Sequence, residues 1–219
     1  MCFSASASFV SATCIAGLGV MAHKRVRHPR ERPLAWIPIL FAVQQLIEGF
    51  IWLLVTHQSN AIPLSWLLGL FLFFAWVVWP IWVPWASLKV ETNERKRGLF
   101  KGLLCLGVFL AVVSLVQLFF AHPVVTGVHN HLVYKLTQMP HWPFFQMALQ
   151  VMYVLVTLVP LLLSSVRGLV GLGVTNFFAL LISFLFFEEA LPSIWCFFAA
   201  LLSLQILFII PVLEQRKPH

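Results

Sequence analysis

His23-Lys24-Arg25-Val26-Arg27-His28-Pro29-Arg30-Glu31-Arg32 separates two long apolar stretches, and its reading decides the fold. The stretch before it covers about residues 4–22 and the one after it about 34–56, each with the roughly 20 mostly apolar residues that cross a ~30 Å hydrocarbon core. Working outward, five more such stretches follow at about 64–88, 100–121, 143–164, 168–188 and 193–213. Alternate connections fall on opposite faces of a membrane. One face receives the opening cluster, then Lys89 through Lys101, Arg167, Arg216 and Lys217. Of the 14 Lys and Arg residues, only Lys135 falls on the other face. Lys and Arg in short loops mark the cytoplasmic side. The expectation is an all-α polytopic membrane protein, one seven-helix transmembrane domain over residues 1–219, with the N-terminus outside and the C-terminus inside.

Composition agrees. A chain that is 61% hydrophobic and 10% charged does not suit a soluble domain, which carries about 25% charged residues. The net charge of +7 does not indicate nucleic-acid binding, because the cations flank apolar spans instead of lining a folded basic surface. Their natural partners are membrane lipids, in particular anionic headgroups at the cytoplasmic face. The first stretch lacks the basic segment that precedes a signal peptide's apolar core, so it reads as a retained helix entered from outside.

Connections are short, the longest running from His122 to Trp142, where a short helix or re-entrant turn is expected. Trp36 and Trp85 lie at the inner interface; Trp52, Trp66, Trp142 and Trp195 lie at the outer one. Trp76-Val77-Val78-Trp79-Pro80-Ile81-Trp82-Val83-Pro84-Trp85 repeats tryptophan every third residue and carries two prolines that remove backbone donors. It reads either as an interfacial belt on a bent helix or as a hinge with an aromatic cavity.

Glu48 is the leading functional candidate. It lies well inside the second stretch, in Gln44-Gln45-Leu46-Ile47-Glu48-Gly49, with no Lys or Arg in the sequence at that depth. A carboxyl there is costly unless it faces the bundle interior, so intramembrane acids are functional by default. It is either protonated, held by hydrogen bonds or bound to a cation. Gln146, Gln150, Tyr153 and Thr157 recur on one face of the fifth stretch. Facing Gln44, Gln45 and Glu48, they would line a polar cleft open to the outside, or else simply join helices by hydrogen bonds.

A second set of ligands gathers on the outer side: His57, His122 and His141 with Glu188 could hold zinc or copper. Their spacing is not a metal signature, and interfacial histidines are ordinary. Glu48 and His57, nine residues apart or roughly 13 Å along a helix, cannot share one ion. Four cysteines are present, and Cys2 and Cys196 fall at outer helix ends where a disulfide could persist if the first and last helices are neighbours. The last span has no lysine for a retinal Schiff base, and no mid-span histidine offers a haem ligand.

Three motifs carry a resemblance: Met1-Cys2-Phe3-Ser4-Ala5-Ser6-Ala7-Ser8-Phe9, the Gln44–Gly49 stretch, and Ser193-Ile194-Trp195-Cys196-Phe197-Phe198-Ala199-Ala200. Together they resemble a family of small bacterial integral membrane proteins with no established activity. The resemblance implies a bacterial seven-helix inner-membrane protein and places all three motifs in the outer half of the bundle. The functional expectation is an outward-facing polar pocket around Glu48 that binds a small cationic ligand, a metal ion or a proton in transport or sensing. Gln44, Gln45, Gln150 and Tyr153 would orient the ligand, with Cys2, Trp195 and Cys196 at the mouth. The alternatives are a metal-dependent hydrolase or lipid-modifying enzyme at the outer leaflet, and an accessory subunit within an oligomer or with a partner.

Overall fold

The computed structural model describes residues 4–57, 63–120, 122–128, 131–137, 143–186 and 190–214. Seven helical segments in it are long and apolar enough to cross a membrane. The first is α1 (Ala5–Lys24) and the second α2 (Arg32–His57), preceded by a 3-10 turn, Pro29–Glu31. The third joins α3 (Leu64–Phe73), a π turn (Phe74–Val78) and α4 (Trp79–Val90). Next come α5 (Glu94–Phe120), α6 (Pro143–Leu162) and α7 (Arg167–Phe186), and the seventh joins α8 (Leu191–Leu202) to α9 (Ile206–Glu214) through a 3-10 turn.

Helix ends follow local chemistry. The Ser4 side chain accepts from the Ala7 N–H at 3.2 Å and caps α1. The Asn93 carboxamide accepts from the N–H groups of Arg95 and Lys96, so α5 starts among charged residues, six positions before the apolar stretch read from sequence.

α2 is the hub. Over half of its best membrane window is buried (56%, against 17% for α5), and it packs on α1, α3, α4, α8 and α9. Close approach needs small residues: Gly19 of α1 lies on Pro38 and Ile39, and Gly49 of α2 lies on the Phe9 ring. α1 touches both α8 and α9, so the first and last spans are neighbours.

The connections holding the Lys and Arg clusters gather at one end of the bundle, here the basic end. Glu91, 2% exposed, fastens two of them. Its carboxylate accepts the N–H groups of Thr92 (3.0 Å), Asn93 (2.9 Å) and Ser165 (2.7 Å) and the Ser164 hydroxyl (3.3 Å). Burial pushes this carboxyl up, but the N–H groups of Asn93, Ser165 and Thr92, with the Ser165 hydroxyl, hold it below the usual value. Arg97 closes the same corner by donating to the carbonyls of Glu91 and Leu88.

The opposite, far end carries what sequence reading missed. In place of a short helix or re-entrant turn, β1 (His122–Val128) and β2 (His131–Thr137) form an antiparallel hairpin, with Val125 opposite Tyr134. Val124, Val125, Thr126, Val128 and Val133 favour extended backbone, and the inward-pointing N–H and C=O groups of the two strands pair across the hairpin. The hairpin is packed down: Leu132 and Val133 are buried, and the Tyr134 ring stacks on Phe71 at 4.6 Å.

Candidate functional site

Glu48 sits where α2, α8 and the hairpin meet, with no exposed surface. Three elements each send it a donor. Ser193, in the first turn of α8, donates to Oε1 at 2.5 Å. Tyr134 of β2 donates to the same oxygen at 3.5 Å, and Gln45, one turn earlier on α2, donates through Nε2 to Oε2 at 3.2 Å. Two of these donors are hydroxyls, which can also accept.

Gln44 lies on the neighbouring face of α2. Its Oε1 accepts the Trp79 indole N–H at 2.8 Å, and the Trp79 ring stacks on Phe41 at 3.8 Å. The Cys196 thiol, buried and free, lies beside Gln44 and Glu48. Gln44 Nε2, Gln45 Oε1 and Trp52 Nε1 are buried with no hydrogen-bond partner among the described residues. Gln45, Glu48 and Trp52 share one stripe of α2 at i, i+3 and i+7. Buried polar atoms without partners cost about 1–3 kcal/mol each, so such a concentration is unusual in packed protein.

The rest of the expected set is redistributed. Tyr153 is half-buried at the edge of this region, but its hydroxyl is taken by the Ala75 carbonyl at 2.5 Å and not by Glu48. The π turn explains that bond. The Trp79 N–H donates to Phe74 O instead of to Ala75 O, and the next residue, Pro80, has no N–H to offer. Tyr153 therefore supplies the donor that the helix cannot. Trp195 is buried, edge-on to Tyr153, and donates to Asn176 Oδ1 at 2.9 Å. Trp52 is also buried.

Gln150 does not face Glu48: it is exposed on α6, whereas Gln146 and Tyr153 of the same face are half-buried and Thr157 is buried. Thr157 is buried and bonds to the carbonyls of Tyr153 and Val154 in its own helix. The expected cleft open to the outside is instead a closed site with Tyr134 at its far side.

For the metal alternative, His57 is exposed at the end of α2. His122 contributes backbone to β1, but its side chain, like Cys2, His141 and Glu188, lies outside the described residues. Among the described residues no three His, Cys, Asp or Glu side chains converge. Sequence reasoning missed Tyr134, Ser193 and Trp79 as site residues. Ser193 opens the Ser193–Ala200 motif and was visible there. Trp79 belonged to the tryptophan run, and Tyr134 had no sequence signal apart from its aromatic character.

No curated protein and no solved structure matches this chain. A family model does match, over residues 1–218, consistent with the expectation of a family without an established activity. The chain belongs to a family of unknown function, DUF6629.

Proposed function

We propose that this is a multi-pass protein of the bacterial cytoplasmic membrane, N-terminus outside and C-terminus inside, in which Glu48 binds and releases a proton in transport or sensing. The orientation rests on the Lys and Arg asymmetry. The proton reading is carried by one observation: a fully buried carboxyl bonded by a serine hydroxyl, a tyrosine hydroxyl and a carboxamide, with unpartnered amide atoms beside it.

Each of those groups can reverse. A hydroxyl donates to the carboxylate and accepts from the protonated acid. The Gln45 carboxamide can turn over, offering Oε1 to the acid proton where it offered Nε2 to the charge, since the two ends are nearly isosteric. The site therefore accommodates both protonation states with little movement of backbone. Gln45 Oε1 and Gln44 Nε2 provide an acceptor and a donor, which matches a water molecule carrying the proton to or from the carboxyl.

The same bonds support a second reading, a permanent joint between α2, α8 and the hairpin. Infrared difference titration of the reconstituted protein separates the two. The proton reading expects a carboxylic-acid band that appears and disappears with pH and is absent from Glu48→Gln. Identical difference spectra for wild type and variant would leave the joint. Zinc or copper bound near one per chain and lost in Glu48→Ala would replace the proton with a metal ion.

A further inference from the structure

A second site lies at the basic end, far from Glu48. Two helical stripes face each other there. On α4, Trp82, Trp85 and Lys89 are spaced i, i+3 and i+7, which puts them on one side. Opposite stand Pro29 and Arg30 of the 3-10 turn and Arg32, Pro33 and Trp36 at the start of α2. Between them opens a cleft of about 430 Å³, within the ~300–1,000 Å³ of small-molecule sites. Its floor is pinned: the Trp82 indole donates to the Pro33 carbonyl at 2.9 Å, and Trp85 stands edge-on to Trp82 at 5.0 Å.

The charges of this cleft are uncommitted. The side chains of Arg30, Arg32 and Lys89 make no hydrogen bond or ion pair among the described residues, although cations elsewhere at this end do. Arg97 pairs with Glu94 and with carbonyls, and Arg25 donates to the Leu207 carbonyl. The nearest acid in sequence, Glu31, is turned inward, where one oxygen accepts the N–H groups of Arg27 and His28. The positive end of the α2 dipole points to the same place. The cleft thus combines three free cations with an indole wall 42% exposed at Trp36, at the level where two apolar spans give way to charged connections.

We propose that this cleft seats one anionic phospholipid: Arg30, Arg32 and Lys89 hold its phosphate, and the first part of an acyl chain lies along Trp36, Trp82 and Trp85. A soluble anion would use the cations but not the indoles. A neutral lipid would use the indoles and leave the cations unpaired. Only an anionic amphiphile uses both, and a membrane surface supplies it. The inference rests on the seven spans lying in a bilayer and is independent of any role for Glu48.

The test is native mass spectrometry of the full-length protein in mild detergent, titrated with phosphatidylglycerol, phosphatidylcholine or inorganic phosphate. One triple variant is Arg30→Gln, Arg32→Gln, Lys89→Gln. A second of equal charge change, off the cleft but at the same end, is Arg95→Gln, Lys96→Gln, Lys101→Gln. The expected result is saturable binding of one phosphatidylglycerol, weaker by roughly tenfold or more in the first variant and unchanged in the second. Equal weakening in both variants would overturn the site in favour of general surface charge. Equal binding of phosphatidylcholine would overturn the role of the cations. Displacement by inorganic phosphate would overturn the lipid and leave a soluble phosphoanion. All six substituted side chains lie at the protein surface outside the core, and a matching elution profile on size exclusion checks that each variant is folded.

Discussion

At the scale of single residues, Glu48 shows how an acid can be kept inside an apolar bundle. Its cost is offset by donors gathered from three separate elements, of which Ser193 is the nearest at 2.5 Å. Removing that hydroxyl leaves a buried oxygen short of a donor. Ser193→Ala is expected to lower stability by about 1–2 kcal/mol, read from unfolding in detergent. Gln150→Ala is the matched contrast. Sequence periodicity placed Gln150 in the same pocket, but the side chain is exposed, and its loss should cost no more than about 0.5 kcal/mol. Equal effects from both would mean that the Ser193 bond contributes nothing.

At the scale of elements, the third span shows how a helix interrupted by proline is repaired from outside. The π turn leaves Ala75 O without a backbone donor, and Tyr153 of α6 provides one. Tyr153→Phe should destabilise by about 1–2 kcal/mol. In a Pro80→Ala background, where residue 80 regains an N–H, the same change should cost less; a double-mutant cycle with no coupling would refute the repair. Glycines in α5 give a sharper contrast. A Cβ at Gly107 would collide with the Pro80 carbonyl, a backbone atom that cannot swing aside, whereas a Cβ at Gly102 meets nothing. Gly107→Ala should sharply reduce the yield of folded protein. Gly102→Ala should be neutral or stabilise by up to about 1 kcal/mol, because alanine loses less backbone entropy in a helix.

At the scale of the whole molecule, the two ends are held by different means. The far end closes with the hairpin over Glu48, and the basic end closes through Glu91, which ties the α4–α5 connection to the α6–α7 connection. The Glu91 carboxyl lies below its ordinary value in the folded protein, so the native state binds its proton less readily than the unfolded chain does. Its contribution is complete above the unfolded value of 4.5 and is lost as pH falls through the folded value. Acid titration of thermal stability should therefore show a loss below about pH 4.5 that is reduced in Glu91→Gln, a variant less stable than wild type at neutral pH. A variant with an unchanged acid limb would show that the latch is not what titrates.

What the sequence determined by itself is whatever depends on one residue at a time facing a polar or an apolar surrounding. Helix boundaries follow because an apolar backbone must satisfy its own hydrogen bonds, and every expected span is helical to within a few residues except the start of α5. The burial of Glu48 follows from the cost of a carboxyl on the outer face of so apolar a helix, and Gln44 and Gln45 follow from their helical spacing. Tertiary structure alone decided which partners arrive. Ser193 lies 145 residues from Glu48 and Tyr134 lies 86 away, and no local period connects positions so distant. The turning of Gln150 outward and of Trp195 inward is likewise a matter of how each helix is rotated against its neighbours. In an apolar surrounding that rotation is set by close packing and interhelical hydrogen bonds, not by hydrophobicity, because an apolar side chain is at home on either face.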